Sequence, residues 1–192
     1  MSGYTNIIDA FPLPIFIAKL DDEVIKEVKD IILPKIKKLK LTGNKEVYSD
    51  YFNERVVSPK ELEAFFKTIH TATKNYCSDA SINFQSKIDY WVQDYKEGNR
   101  HSRHNHGNHK VSGVYFVRAN SKAGNFVLEN PILQLLSTIP GNISIDTSKY
   151  FSSTYSIKPE EGTLILFPSF LYHWAEPSLK GARRTIFAFN VL

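Results

Sequence analysis

At 192 residues, with 42% hydrophobic and 23% charged side chains, the chain has the makeup of one ordinary globular domain. A net charge of +4 is too small to mark a nucleic-acid binder, and no apolar run approaches the roughly 20 residues that span a bilayer. The single cysteine, Cys77, excludes an internal disulfide and suits a reducing cytoplasm.

The opening residues MSGYTNIIDAFPLP show no basic segment followed by an apolar one, so no signal peptide is expected. Residues 11–20, FPLPIFIAKL, form an apolar extended run broken by prolines, which predicts an edge strand. Asp21 and Asp22 can cap a helix reaching about Leu39, with Val24, Ile25, Val28, Ile31 and Ile32 at helical spacing. Lys35, Lys37, Lys38 and Lys40 read as a solvated face of that helix. No interleaved aromatic residues accompany them, which argues against nucleic acid. Ser58-Pro59-Lys60-Glu61 reads as a second helix start, with Ser58 as N-cap, Pro59 at the first helical position and Glu61 closing a capping box. Leu62, Phe65, Phe66, Ile69 and Thr73 then make the buried stripe. Residues 1–80 are therefore expected to be mostly helical after an initial strand.

Beyond residue 80 the texture changes to strands, expected at 82–96, 111–118, 125–128, 153–157, 163–167 and 184–192. Gly124, Pro131, Pro140, Gly141, Gly162 and Pro168 punctuate them. Residues 132–150 read as an irregular insert. The expected architecture is mainly β with flanking helices: a double-stranded β-helix, or jelly roll, at 81–192, carrying the helical N-terminal part within a single domain, 1–192.

His104-Asn105-His106 and the distant His173 are the residues that point to chemistry. Gly98 precedes the first as G-x5-H-x-H, and Gly162, Pro168 and His173 form G-x5-P-x4-H. The H-x-H spacing puts both rings on one face of a strand, because side chains alternate with period two. The third ring must arrive from a distant strand. His173 lies just beyond an apolar run and a proline turn, a position a free surface histidine has no special reason to occupy. Three histidines can bind Zn, Fe, Cu or Ni, and three ligands on one face of an octahedral ion leave room for Fe(II) oxygen chemistry. The usual third ligand there is a carboxylate. His106 in its place makes the site more positive, which favours an anionic chelating ligand and also leaves other metals open. His101 and His109 are assigned to the surface or to a supporting role.

On the last strand, alternation puts Arg184, Ile186, Ala188 and Asn190 on one face. An arginine pointing into a β sandwich is costly unless an anion neutralises it, and a guanidinium matches a carboxylate in bidentate fashion. Arg184 is therefore a candidate carboxylate clamp, and Arg183 its outward, solvated neighbour.

Together these residues resemble the small 2-oxoglutarate- and Fe(II)-dependent oxygenases over most of the chain. The resemblance runs through FPLPI at 11–15, WVQDYKEG at 91–98, His104-x-His106, SGVYF at 112–116, the stretch from Gly124 to Pro131, LFPSFLYH at 166–173, and Arg184 with Phe189-Asn190. SGVYF and LFPSFLYH are its most specific pieces. It implies Fe(II) held by His104, His106 and His173, and 2-oxoglutarate chelating the iron with its far carboxylate on Arg184. It also implies a cosubstrate contact from Tyr95. The chain departs from the family at Phe116, where a second tyrosine is usual, and at Ile186, where a serine is common.

The implied reaction hydroxylates a C–H bond of a small-molecule or peptidyl substrate, consuming dioxygen and converting 2-oxoglutarate to succinate. Two other readings fit the same residues. One is a three-histidine cupin-type dioxygenase that needs no cosubstrate, and the other is a metal- or ligand-binding jelly roll without catalysis. Homodimerisation is a further expectation.

Overall fold

The computed structural model of the chain describes residues 12–38, 42–43, 47–51, 54–132 and 152–192. An edge strand, β1 (Phe16–Lys19), leads into helix α1 (Asp22–Lys38), two short strands, β2 (Thr42–Gly43) and β3 (Tyr48–Ser49), and helix α2 (Glu63–Asp79). Eight strands follow: β4 (Ile88–Tyr95), β5 (His101–His104), β6 (Val111–Ala119), β7 (Phe126–Glu129), β8 (Thr154–Ile157), β9 (Thr163–Pro168), β10 (His173–Ala175) and β11 (Arg184–Val191).

These strands form a large sheet, ordered β1-β9-β6-β11-β4-β3-β2, and a small one, ordered β5-β10-β7-β8. From β4 onward the chain winds between them. β4, β6, β9 and β11 lie in the large sheet and β5, β7, β8 and β10 in the small one, all paired antiparallel. This is the double-stranded β-helix expected from the sequence, and β1 takes the predicted edge position. Gly162, at φ +83°, makes the turn into β9, a backbone conformation that side chains rarely tolerate.

The large sheet is buried on both faces, so β9 and β11 carry no exposed residue. On its outer face Val28, Ile32, Leu62, Phe65 and Ile69 from the helical layer pack against Tyr115, Leu164, Phe187 and Phe189. Each such side chain contributes about 1.5–3 kcal/mol on burial. Cys77 is buried in the same layer. On its inner face Trp91, Tyr95, Val114, Phe116, Ile165, Phe167 and Ile186 meet Phe126 and Leu128 of the small sheet.

Several expectations need correction. Ser58-Pro59-Lys60-Glu61 forms a turn ahead of α2, not its first turn. Glu61 Oε2 accepts from the Ser58 amide at 3.0 Å, half of a capping box, but the helix begins at Glu63. The predicted strand at 82–96 starts only at Ile88. Four short strands, β2, β3, β5 and β10, fall outside the sequence expectations. Pro34 sits inside α1 without ending it, on an exposed position. Of the lysine cluster, Lys35 pairs with Glu61 and is not simply solvated. Phe11 and nearly all of the 132–150 insert lie outside the described residues.

Candidate metal centre

Strand β5 delivers His104 at its last residue, and β10 delivers His173 at its first. The two are register partners across the small sheet, which puts both rings on one face. His106 follows β5 by two residues and so is not on the strand. It is fixed instead by its backbone N–H, which donates to the Ser169 carbonyl at 2.9 Å. The same-face argument from H-x-H therefore gave the right convergence for an incomplete reason.

The three rings converge, with one potential ligand atom from each lying within 4.8 Å of the others. Among the described residues no carboxylate or thiol joins them. His104 Nδ1 lies 2.7 Å from the Ser102 carbonyl and His173 Nδ1 lies 3.0 Å from the Leu171 carbonyl. A carbonyl only accepts, so Nδ1 carries the proton in both rings and Nε2 presents its lone pair. Burial, with His104 and His109 adding to it, holds His106 down to about 4. Burial likewise puts His173 well below its ordinary value. These rings are neutral near pH 7, the state that binds metals. His101 is half-buried and stacks on His104 at 4.1 Å between ring centroids. His109 is half-buried with its ring 6.4 Å from that of His106. Neither belongs to the cluster.

The histidines open onto a cleft between the sheets whose empty space, mouth included, is about 490 Å³. Trp91, Phe116, Phe126, Phe167 and Ile186 supply much of its apolar wall, and Arg184 also lines it. Arg184 is only 1% exposed, as an inward position on β11 requires. Its Nη1 donates to the Gly124 carbonyl at 2.7 Å and its Nη2 to the Glu176 carbonyl at 3.3 Å. The guanidinium lies 3.8 Å over the Tyr95 ring, and its Nε has no partner. Tyr95 donates its hydroxyl to Gln93 Oε1 at 3.0 Å. Burial lowers the Arg184 pKa from its ordinary value, against the opposing pull of Tyr95 and the Glu176 carboxylate, and among the described residues no carboxylate lies within ion-pair distance of it. Arg183 is exposed, as alternation predicts. Three converging imidazoles fit a divalent transition metal, and a buried guanidinium with no carboxylate in direct contact fits a ligand carboxylate. Phe116 and Ile186 both face the cleft, so neither offers the hydroxyl usual at its position.

Comparison with known proteins bears on this geometry. Residues 89–190, just over half of the chain, match the sequence family described as "Putative 2OG-Fe(II) oxygenase". The chain belongs to this family. Its cofactors are accordingly those of a 2OG-Fe(II) oxygenase: Fe(II) and 2-oxoglutarate. No curated protein sequence matches the chain. Among solved structures this oxygenase is similar to a Pseudomonas putida prolyl-4-hydroxylase (TM-score 0.65, 10% identity, 93% of this chain and 92% of that one). It is also similar to a Trichoplax adhaerens prolyl hydroxylase in complex with a hypoxia inducible factor peptide fragment (TM-score 0.62, 15% identity, 92% and 83%). A third similar structure is the non-heme alpha ketoglutarate dependent carbocyclase SnoK from nogalamycin biosynthesis (TM-score 0.63, 7% identity, 93% and 79%). At these identities the likeness shows the jelly-roll fold alone. Among the described residues no helix is long and apolar enough to cross a membrane.

Sequence reasoning passed over Gln93, Ser112 and Ser169. Gln93 and Ser112 line the cleft, and Ser169 holds the His106 loop. The period-two pattern through Trp91, Gln93 and Tyr95 could have found the first. Ser169 had no such signal, because its part depends on a loop far away in the chain and adjacent only in the fold.

Proposed function

We propose that this 2OG-Fe(II) oxygenase is a dioxygenase that hydroxylates a C–H bond of a small-molecule or peptidyl substrate, converting 2-oxoglutarate to succinate and carbon dioxide. The observation that carries this reading is Arg184, buried with no carboxylate in direct contact among the described residues, in the same cleft as the converging histidines. His104, His106 and His173 would hold the iron, the first and last through Nε2. Bound there, iron would activate dioxygen, the oxidant, and 2-oxoglutarate would supply two of the electrons that reduce it.

The chain's own part is to bind, orient and exclude water. Arg184 takes the far carboxylate, its partnerless Nε adding a charge-assisted hydrogen bond. The Tyr95 ring holds the guanidinium flat from below. The Ser102 and Leu171 carbonyls keep two imidazoles in one tautomer. The aromatic walls keep bulk water from the reacting atoms. A reducing cytoplasm suits the buried thiol of Cys77.

The test is an anaerobic Fe(II) titration with 2-oxoglutarate, following the weak visible charge-transfer band of an iron-chelated keto acid. The band should form in the wild type and be absent in His173→Ala. Iron bound without a band would turn the reading to a cosubstrate-independent dioxygenase. Failure to bind iron would leave a non-catalytic binding module.

A further inference from the structure

Strand β11 carries two polar residues into the cleft, Arg184 and Asn190, on the same face and six residues apart. At about 3.3 Å per residue their backbones stand roughly 20 Å apart. A five-carbon dicarboxylate spans only about 5 Å between its terminal carbons, given single bonds near 1.5 Å. One such ligand cannot serve both. Arg184 sits at the Glu176 side of the histidine cluster, three residues past His173 on the chain. Asn190 sits at the His106 side. The His106 N–H donates to the Ser169 carbonyl, Ser169 Oγ lies 2.8 Å from Ser112 Oγ, and Ser112 Oγ donates to Asn190 Oδ1 at 2.8 Å.

This hydroxyl chain engages the amide oxygen of Asn190, a residue that lines the cleft, and leaves its Nδ2 available as a donor there. The residue is only 3% exposed. A donor held in so enclosed a place makes a stronger hydrogen bond to a ligand than one in open water. The charge of the surroundings limits what that ligand can be. Histidines apart, Arg184 is the only ionisable cation among the residues lining the cleft, and no carboxylate lines it. Around Asn190 the neighbours in register are Ser112 and Phe167 on one side and Asp89 on the other, then Ala188, Val114 and Trp91 one step along. The Asp89 carboxylate is paired with Arg55 at 3.1 Å and does not line the cleft, so that end of the cleft offers an uncharged acceptor a donor and offers an anion or an ammonium group no unpaired counter-charge.

We propose that Asn190 is the substrate-recognising residue, donating from Nδ2 to an uncharged carbonyl oxygen. The substrate is then a carboxamide-bearing molecule, an N-acylated amino acid or peptide unit, and not a carboxylate, a phosphate ester or an amine. This rests on Arg184 serving the cosubstrate, as proposed above.

The test uses the full chain loaded with Zn(II), a diamagnetic substitute for iron, and saturated with 2-oxoglutarate. Saturation-transfer NMR is recorded with a panel of N-acetyl amino-acid N-methylamides and with the corresponding free amino acids. Carboxamide probes should bind and the free amino acids should not. Asn190→Ala should weaken the best probe about five- to tenfold, the loss of one neutral hydrogen bond. Asn190→Asp, which keeps the acceptor and loses the donor, should abolish binding. In both variants 2-oxoglutarate affinity should stay within about twofold of wild type, which a merely structural role would not leave unmoved. The proposal is overturned if no carboxamide binds, if free amino acids bind equally well, or if Asn190→Ala weakens 2-oxoglutarate as much as the probe. Wild-type protein that fails to take up 2-oxoglutarate gives a distinct result, refuting the reading of the Arg184 end and this inference with it.

Discussion

Gly124 never touches the cleft ligands, yet Gly124→Ala should impair them. A Cβ at this position would stand 2.3 Å from the Glu176 carbonyl oxygen, 2.6 Å from its carbon and 2.7 Å from the Pro177 oxygen. All three are backbone atoms, so no side chain can swing away. Raising the shortest contact to 3.0 Å, below which real Cβ atoms essentially never fall, requires a retreat of about 0.7 Å. The two segments forced apart are the two that hold Arg184, through the Gly124 and Glu176 carbonyls. The Nη2 bond, already 3.3 Å, would stretch to about 4 Å and cease to be one. Overpacking of this kind costs about 1–3 kcal/mol, and each kcal/mol moves Tm by about 2–4 °C in a chain this size. A fall in Tm of about 5 °C is expected. A displaced guanidinium should weaken 2-oxoglutarate about tenfold, the worth of a charged hydrogen bond. Calorimetric titration and thermal unfolding read both, with Gly107→Ala as control, since its Cβ would meet nothing nearer than Asn105 Oδ1 at 3.9 Å. A Gly124→Ala protein with wild-type Tm and wild-type affinity would refute the close approach and the clamp built on it.

Arg184→Ala should raise the 2-oxoglutarate requirement at least about tenfold in a succinate-release assay, and an unchanged requirement would move the clamp elsewhere. His106→Asp should retain metal better than His106→Ala in a competitive chelator titration, because a carboxylate can replace the imidazole as a ligand; equal losses would remove His106 from the site. The metal-free protein should lose stability as pH falls from about 6.5 to about 4. Burial and neighbouring imidazoles keep His106 neutral in the folded state down to about 4, whereas the unfolded chain binds its proton near the ordinary value of 6.5. The stabilisation is complete above 6.5 and is lost on the way down, so the urea midpoint should drop between pH 7 and 5, less steeply in His106→Asn. A flat midpoint in wild type would show that the ring is not held neutral.

Much of this fold and centre could be read from residue order, and the parts that could not share a cause. Period-two alternation on β11 puts Arg184 on the face of Ile186, Ala188 and Asn190, and Arg183, just ahead of the strand, on the other side, because successive side chains of a strand point to opposite faces. The helix stripe from Leu62 to Thr73 was equally plain. Strand β10 has three residues, too few to show a period, and β5, His-Ser-Arg-His, carries no apolar residue to mark a buried face. Ser58-Pro59-Lys60-Glu61 reads as a helix start because a tight turn and a capping box use the same residue pattern, and only the backbone beyond it distinguishes the two. Resemblance named the histidines together. It could not reveal that His106 lies off the strand and depends on Ser169, since that dependence joins residues distant in the chain.

The carbonyls that orient His104 and His173 each belong to the residue two positions earlier in the same chain. Each ring is thus steered by its own stretch of chain and not by a partner that could drift away. A socket built so keeps its shape when empty. Metal should then leave and return without refolding, and uptake should follow the rate at which each ion sheds its water, faster for ions that exchange water quickly.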